Sequence, residues 1–192
     1  LQEITVYPDK GGTVKNLLEE VRRAVKLSEN GTGSLRLVEI SQNRLTRVIE
    51  QDLPLDEMQH SRIYRAEEIP ADQIAVDPKN EYLLSIAHFQ KESIHTFGTP
   101  FYLKVRNGEQ FTSVKEKIQS MLDVPEKEFE KFKFHIVTMG KLTNVDSSSN
   151  YTINLSELQQ NYQKPWLGLE HMNKNSRRSS AHPLEKAIVI HN

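Results

Sequence analysis

The feature that most constrains this chain is a pattern that occurs twice: one amphipathic helical stripe set among short alternating strands. In its first instance Ile4 and Val6 alternate with polar neighbours, and Pro8-Asp9-Lys10-Gly11-Gly12 supplies turn chemistry. Val14, Leu17, Leu18, Val21 and Val25 then recur at i, i+3, i+4, i+7 and i+11, one face of a helix that Thr13 is placed to cap. Gly31 and Gly33 close that segment. Leu35–Ile40 reads as a strand, Leu45–Ile49 as its continuation in the sheet, and Ile63–Arg65 as a further short strand. Leu53-Pro54-Leu55 and Ile69-Pro70 read as loop anchors, because proline cannot donate to a ladder.

The second instance follows Asp77-Pro78-Lys79-Asn80, the best boundary in the sequence. Tyr82–Phe89 and Phe101–Val105 alternate as strands, and Asn107-Gly108 is a turn dipeptide. Phe111, Val114, Ile118, Met121 and Leu122 form the helical stripe, with Ser113 and Glu116 offering a capping box or the helix starting a turn earlier. Phe132, Phe134 and Ile136 mark one strand, and Tyr151, Ile153 and Leu155 another. Strand, strand, helix, strand, strand predicts a helix packed across a mixed sheet, the β-grasp arrangement of an α+β fold. The first instance fits the same plan with its first strand lacking, so that strand is expected upstream. The expected organisation is one partial domain over 1–78, a second over 79–160, and a tether with a terminal peptide over 161–192.

The chain has no cysteine, which excludes disulfides, cysteine-ligated zinc and a thiol nucleophile of its own. With 25 basic against 26 acidic residues it lacks the broad positive surface that direct nucleic-acid binding needs. No apolar run approaches the roughly 20 residues of a membrane span, so no membrane partner is expected. Asn30-Gly31-Thr32 and Asn150-Tyr151-Thr152 fit a glycosylation sequon, but no signal peptide precedes them, and the chain reads as soluble and intracellular. His60, His88, His95, His135, His171, His182 and His191 are scattered without zincin spacing. A nucleophile elbow, a Walker loop and a dinucleotide fingerprint are absent from the sequence, so neither catalytic residues, a metal site nor a cofactor is expected.

Val114-Lys115-Glu116-Lys117-Ile118-Gln119 followed by Val124-Pro125 resembles the helix of ubiquitin and the turn after it, where a Val-Lys-x-Lys-Ile-Gln run precedes Ile-Pro. Three further stretches are similar to the C-terminal end of the herpesvirus-associated ubiquitin-specific protease family: Glu126–Phe134, Pro165-Trp166-Leu167-Gly168-Leu169, and Leu184–Ile188 with Ile190-His191-Asn192. The likeness extends through Thr5–Lys10, Leu35-Arg36-Leu37 and Glu67-Glu68-Ile69-Pro70, and so covers most of the chain. It implies the fourth and fifth of five tandem ubiquitin-like domains plus an activating tail, within a thiol-dependent deubiquitinase found in nucleus and cytoplasm. It also implies that the tail folds back on the catalytic domain of the same protease and favours its active arrangement. Other regulatory or substrate proteins are the alternative partners of such a module.

Within 161–192, Trp166, Leu167 and Leu169 form an isolated apolar cluster, read as an anchor of the tail on the second domain. Asn173–Ser180 has no apolar anchor and reads as a tether; it contains Arg177-Arg178-Ser179, a triplet of the basophilic-kinase type. The end is apolar again. Leu184, Ala187 and Ile188 suit a helical face, whereas Ile188 and Ile190 share one face of a strand. A segment this short holds neither form alone but can add to a sheet edge or enter a groove. With the resemblance in hand, Ile188 and Ile190 are the expected docking anchors and Leu184 their support.

Overall fold

The computed structural model describes residues 3–146, 150–159, 164–173 and 189–190. They fall into two compact units, one of Leu1–Ser41, Leu45–Ile74 and Asn175–Asn192, the other of Gln42–Arg44 and Ala75–Lys174. Both combine strands and helices in an α+β fold.

In the first unit a short strand β1 (Thr5–Val6) leads into helix α1 (Val14–Ala24). Asn16 Oδ1 turns back to accept the Thr13 backbone N–H at 2.9 Å, tying down a donor that the helix itself leaves unpaired. The stripe points inward: Val14, Leu17, Leu18 and Val21 are buried. Strands β2 (Leu35–Ser41), β3 (Arg44–Ile49) and β4 (Ile63–Glu68) form a sheet in the order β3-β2-β4. β2 and β4 run antiparallel, with Leu37 opposite Ala66. The core joins the helix to Val6, Leu35, Leu37, Ile49, Leu55, Met58 and Tyr64. Each such side chain, fully buried, contributes about 1.5–3 kcal/mol. Beside this core Arg36, only 6% exposed, reaches Glu67 at 2.6 Å, and Arg65 holds the other oxygen of the same carboxylate at 2.7 Å. Burial of Arg36 is tolerable because its charge is matched.

The second unit contains strands β5 (Glu81–Gln90) and β6 (His95–Arg106), helices α2 (Phe111–Leu122) and α3 (Glu126–Phe129), and strands β7 (Lys133–Thr138) and β8 (Lys141–Asn144). Helix α4 (Leu155–Gln159) and strand β9 (Trp166–Glu170) complete it. The sheet order is β6-β5-β9-β7-β8, with β5 and β9 parallel and the other described pairs antiparallel. This is the β-grasp order, and α2 crosses it. Phe111, Val114 and Ile118 of the helix pack on Leu84, Ile86, Leu103, Val105, Phe134, Ile136, Leu167 and Leu169. Helix α2 starts at Phe111, with Gln110 at the cap, so Ser113 sits inside the first turn and donates to Glu109 Oε1 instead of forming the box with Glu116. Met139 and Gly140, both at positive φ, make the tight β7–β8 turn.

Two expectations are corrected. Tyr151, Ile153 and Leu155 do not form a strand of the sheet. Their alternation is used by an extended segment whose backbone pairs with the loop before α2: Ile153 N donates to Glu109 O at 2.8 Å and Phe111 N to Tyr151 O at 3.0 Å. Leu155 already begins α4. The fifth strand is β9, which lies beyond residue 160, so the second unit runs to Lys174 and takes in residues assigned above to the tether.

Candidate functional site

The end of the chain returns to its beginning. Strand β10 (Val189–Ile190) pairs in parallel with β1, Thr5 opposite Val189 and Val6 opposite Ile190. Val6 is 4% exposed and belongs to the core beneath α1, which fixes β1 in place, whereas Thr5 lies at the surface. Of the three tail residues singled out from sequence, Ile190 is therefore found in extended conformation on a strand. Leu184 and Ile188 lie outside the described residues, as do His182, His191 and Ser179.

Trp166, Leu167 and Leu169 occupy the middle strand of the second unit. Leu167 and Leu169 are fully buried in the core under α2, while Trp166, 6% exposed, belongs to a smaller cluster with Ala87, Phe89 and Val137. Gly168 sits opposite Ala87 on one side and His135 on the other. A Cβ there would come within 2.6 Å of Phe89 Cε1, so the bare glycine is what admits the Phe89 ring. That ring meets Trp166 and His135 edge-on, each with 5.7 Å between centroids.

Where β9 ends, ionisable groups gather. His135 donates from Nε2 to Glu170 Oε2 at 2.6 Å, and its buried Nδ1 is without a hydrogen-bond partner. His88 Nδ1 lies 2.8 Å from His171 Nε2. His171 Nδ1 donates to the Met172 carbonyl at 3.2 Å, so in the neutral ring Nε2 accepts and His88 is the donor of the pair. Burial, reinforced by repulsion from a charged His171, holds His88 down at about 4, so it is neutral at physiological pH. Phe132 stacks flat on His171, with ring centres 4.1 Å apart. A cavity of about 570 Å³ opens alongside, lined among others by Lys91, Glu128, Lys131, Phe132 and Lys133.

These groups do not compose a catalytic centre. A nucleophile next to a base is not formed by any of them, and no group of three or more His, Asp or Glu able to hold a metal ion exists among the described residues. Among the same residues no helix is long and apolar enough to cross a membrane. What the geometry provides instead is a short strand, Thr5–Val6, paired in parallel with Val189–Ile190. Sequence reasoning missed the His88–His171–Phe132 stack, whose members lie far apart in the chain. Only the return of β9 beside β5, with β7 on its other side, brings them together.

Comparison with known proteins agrees on a single group. Residues 1–176 match the family model described as ubiquitin-specific protease C-terminal. The ubiquitin carboxyl-terminal hydrolase 7 of Drosophila melanogaster is 37% identical over 202 residues, covering 100% of this chain and 18% of that protein. The protein of the same name from Caenorhabditis briggsae is 30% identical over 212 residues, again 100% and 18%. Ubiquitin C-terminal hydrolase 13 of Arabidopsis thaliana is 28% identical over 202 residues, with 95% of this chain and 17% of that protein covered. The chain thus spans under a fifth of the length of the relatives it matches.

Proposed function

The chain belongs to the ubiquitin-specific protease C-terminal family, and on that premise we propose that it is the regulatory module of a cysteine-type deubiquitinase that activates the enzyme through its tail. The two ubiquitin-like units carry the terminal segment. That segment docks on the catalytic domain of the same protease, with Ile188 and Ile190 as anchors and Leu184 as support, and favours the conformer that removes ubiquitin from substrates. Catalysis belongs to the catalytic domain; this chain contributes neither nucleophile nor cofactor. Nuclear and cytoplasmic location, where ubiquitin conjugates are processed, is part of the same reading.

What supports this reading is the family match over residues 1–176, together with the extended backbone of Val189–Ile190, a form in which a peptide can be received at a strand edge. Burying two isoleucines contributes about 3–6 kcal/mol before ordering costs, a weak interaction for a free peptide. Tethering raises the effective concentration to roughly the millimolar range, enough for such an interaction to shift a two-state equilibrium. The test adds this chain in trans to the isolated catalytic domain of the parent protease. Turnover of a ubiquitin substrate is expected to rise, and Ile188→Ala with Ile190→Ala to abolish the rise. An undiminished rise with the double variant removes the tail from the mechanism.

A second reading follows from the engaged strand edge and the cavity at the end of β9. The units would then recruit substrates or regulators without altering the catalytic state. Partner capture that survives deletion of residues 183–192, with no effect of the chain on turnover, selects this reading.

A further inference from the structure

The sequence contains two Asn-Gly dipeptides, Asn30-Gly31 and Asn107-Gly108, and the fold treats them differently. In such a pair the glycine nitrogen meets little obstruction from its own residue, which has no Cβ. Once deprotonated, that nitrogen can attack the asparagine Cγ. The bond from Cγ to the side-chain nitrogen breaks, ammonia leaves, and a succinimide ring remains. Water then opens the ring at either carbonyl, giving an aspartyl or an isoaspartyl residue, so that amide and water become acid and ammonia. The reaction needs a carboxamide free to turn and a glycine nitrogen free to approach it. Asn107-Gly108 offers neither. Asn107 Oδ1 accepts the Leu155 backbone N–H at 3.1 Å, the Asn107 N–H donates to Asn80 O at 2.9 Å, and the Gly108 N–H donates to Ile153 O at 2.7 Å.

Asn30 is exposed, and no described residue hydrogen-bonds its carboxamide. The Gly31 N–H closes only a local turn onto Ser28 O at 3.1 Å. On either side of this tip the loop is pinned. The two oxygens of Glu68 accept the Gly33 N–H at 2.7 Å and the Ser28 N–H at 3.2 Å, and the Thr32 hydroxyl donates to Ile69 O at 2.6 Å. Gly31 is not at positive φ, but a Cβ there would lie 2.1 Å from Glu68 Oε1. The glycine that lets the carboxylate come close is therefore the one that makes Asn30 reactive. We propose that Asn30 is a self-modification site: it deamidates through attack by the Gly31 nitrogen, and the isoaspartate formed unpins the loop between α1 and β2. Isoaspartate adds a methylene to the main chain, lengthening a span whose two ends one carboxylate holds. It also puts a second negative charge on the loop that Glu68 clasps, and like charges repel. The product belongs to the substrate class of enzymes that methylate isoaspartyl carboxylates.

The test ages the 192-residue chain at physiological temperature and cleaves it after lysine and arginine, which puts Asn30 in the peptide Leu27–Arg36 and Asn107 in the peptide Asn107–Lys115. Two readouts apply to each peptide: the mass difference between amide and acid, and labelling by an isoaspartate O-methyltransferase with S-adenosylmethionine. In the folded chain both signals are expected in the Asn30 peptide roughly tenfold ahead of the Asn107 peptide, because the bonds around Asn107 must open first. In urea the two peptides are expected to react alike. Equal rates in the folded chain, or a lead for Asn107, overturn the assignment. Unpinning is read from amide hydrogen exchange, where Ser28 and Gly33 are expected to exchange several-fold faster in the aged chain than in the fresh one. Asn30→Gln, whose longer side chain closes such a ring far more slowly, is expected to keep both amides protected through the same ageing. Unchanged exchange in the aged parent, or equal loss of protection in the glutamine variant, overturns the unpinning.

Discussion

Gly168 invites a substitution whose outcome can be worked from distances. Alanine there places a Cβ 2.6 and 2.8 Å from two ring carbons of Phe89 and 3.2 Å from Trp166 Cζ3. Carbon atoms in contact settle at about 3.5–4.0 Å, so the ring must retreat by about 1 Å. Phe89 has no exposed surface, and His135 and Trp166 abut it, so its retreat displaces them too. Overpacking of this kind costs about 1–3 kcal/mol. Against this, replacing glycine restricts the unfolded chain and returns about 0.4–1 kcal/mol. The expected net loss for Gly168→Ala is about 1–2 kcal/mol, read from urea unfolding followed by the fluorescence of Trp166, the single tryptophan. Phe89→Leu takes away the ring carbons in question. In that background Gly168→Ala is expected to be neutral or stabilising, a coupling of about 1–3 kcal/mol across the pair. If alanine is harmless in the parent, or equally harmful in both backgrounds, the ring is not the reason for the glycine.

Other expectations concern charge. The ordinary histidine value is 6.5 and His88 is held at about 4, so the unfolded chain takes up a proton that the fold resists. Its contribution is fully present above pH 6.5 and is lost as pH falls from there towards 4, amounting to about 2 kcal/mol by pH 5 and about 3 by pH 4. Urea unfolding of His88→Gln at pH 7 and pH 5 is expected to show a shallower decline than the parent; parallel declines would assign the acid sensitivity elsewhere. In the first unit, Glu67→Ala leaves the buried Arg36 without its carboxylate and is expected to lower stability by about 3 kcal/mol. Glu67→Gln, which keeps the acceptor oxygen, is expected to recover part of that loss. A calorimetric comparison of the two variants checks it.

Much of the architecture was legible because helices and half-buried strands write their periods into the chain. Val14, Leu17, Leu18 and Val21 announced α1, and Phe111, Val114 and Ile118 announced α2, since each helix buries one face only. Strand β9 was illegible for the opposite reason. It lies between β5 and β7 with both faces covered, so Trp166-Leu167-Gly168-Leu169 shows no alternation and read as an apolar patch beside a tail. Tyr151–Leu155 shows the reverse failure: its period-2 pattern is real, but the segment pairs with Glu109 and Phe111 outside the sheet. At the candidate site the terminal isoleucines were visible as an apolar end in a polar stretch. That Ile190 lies opposite Val6 was not, because such pairing is a matter of topology with no local sequence signature.

The position of β9 also bears on how the chain is made. The strand at the centre of the second sheet is the last of its five to leave the ribosome. Until Glu170 has emerged, the hairpin of β5 and β6 and that of β7 and β8 have nothing between them, and each keeps an open inner edge. At about 5–20 residues per second, the wait from the end of β7 to the end of β9 lasts seconds, long compared with the microseconds in which a hairpin forms. The nascent unit therefore passes through an obligatory interval with two sticky edges, when chaperones have most to do. Lengthening the connection between β8 and β9 would prolong that interval while leaving the finished fold unchanged.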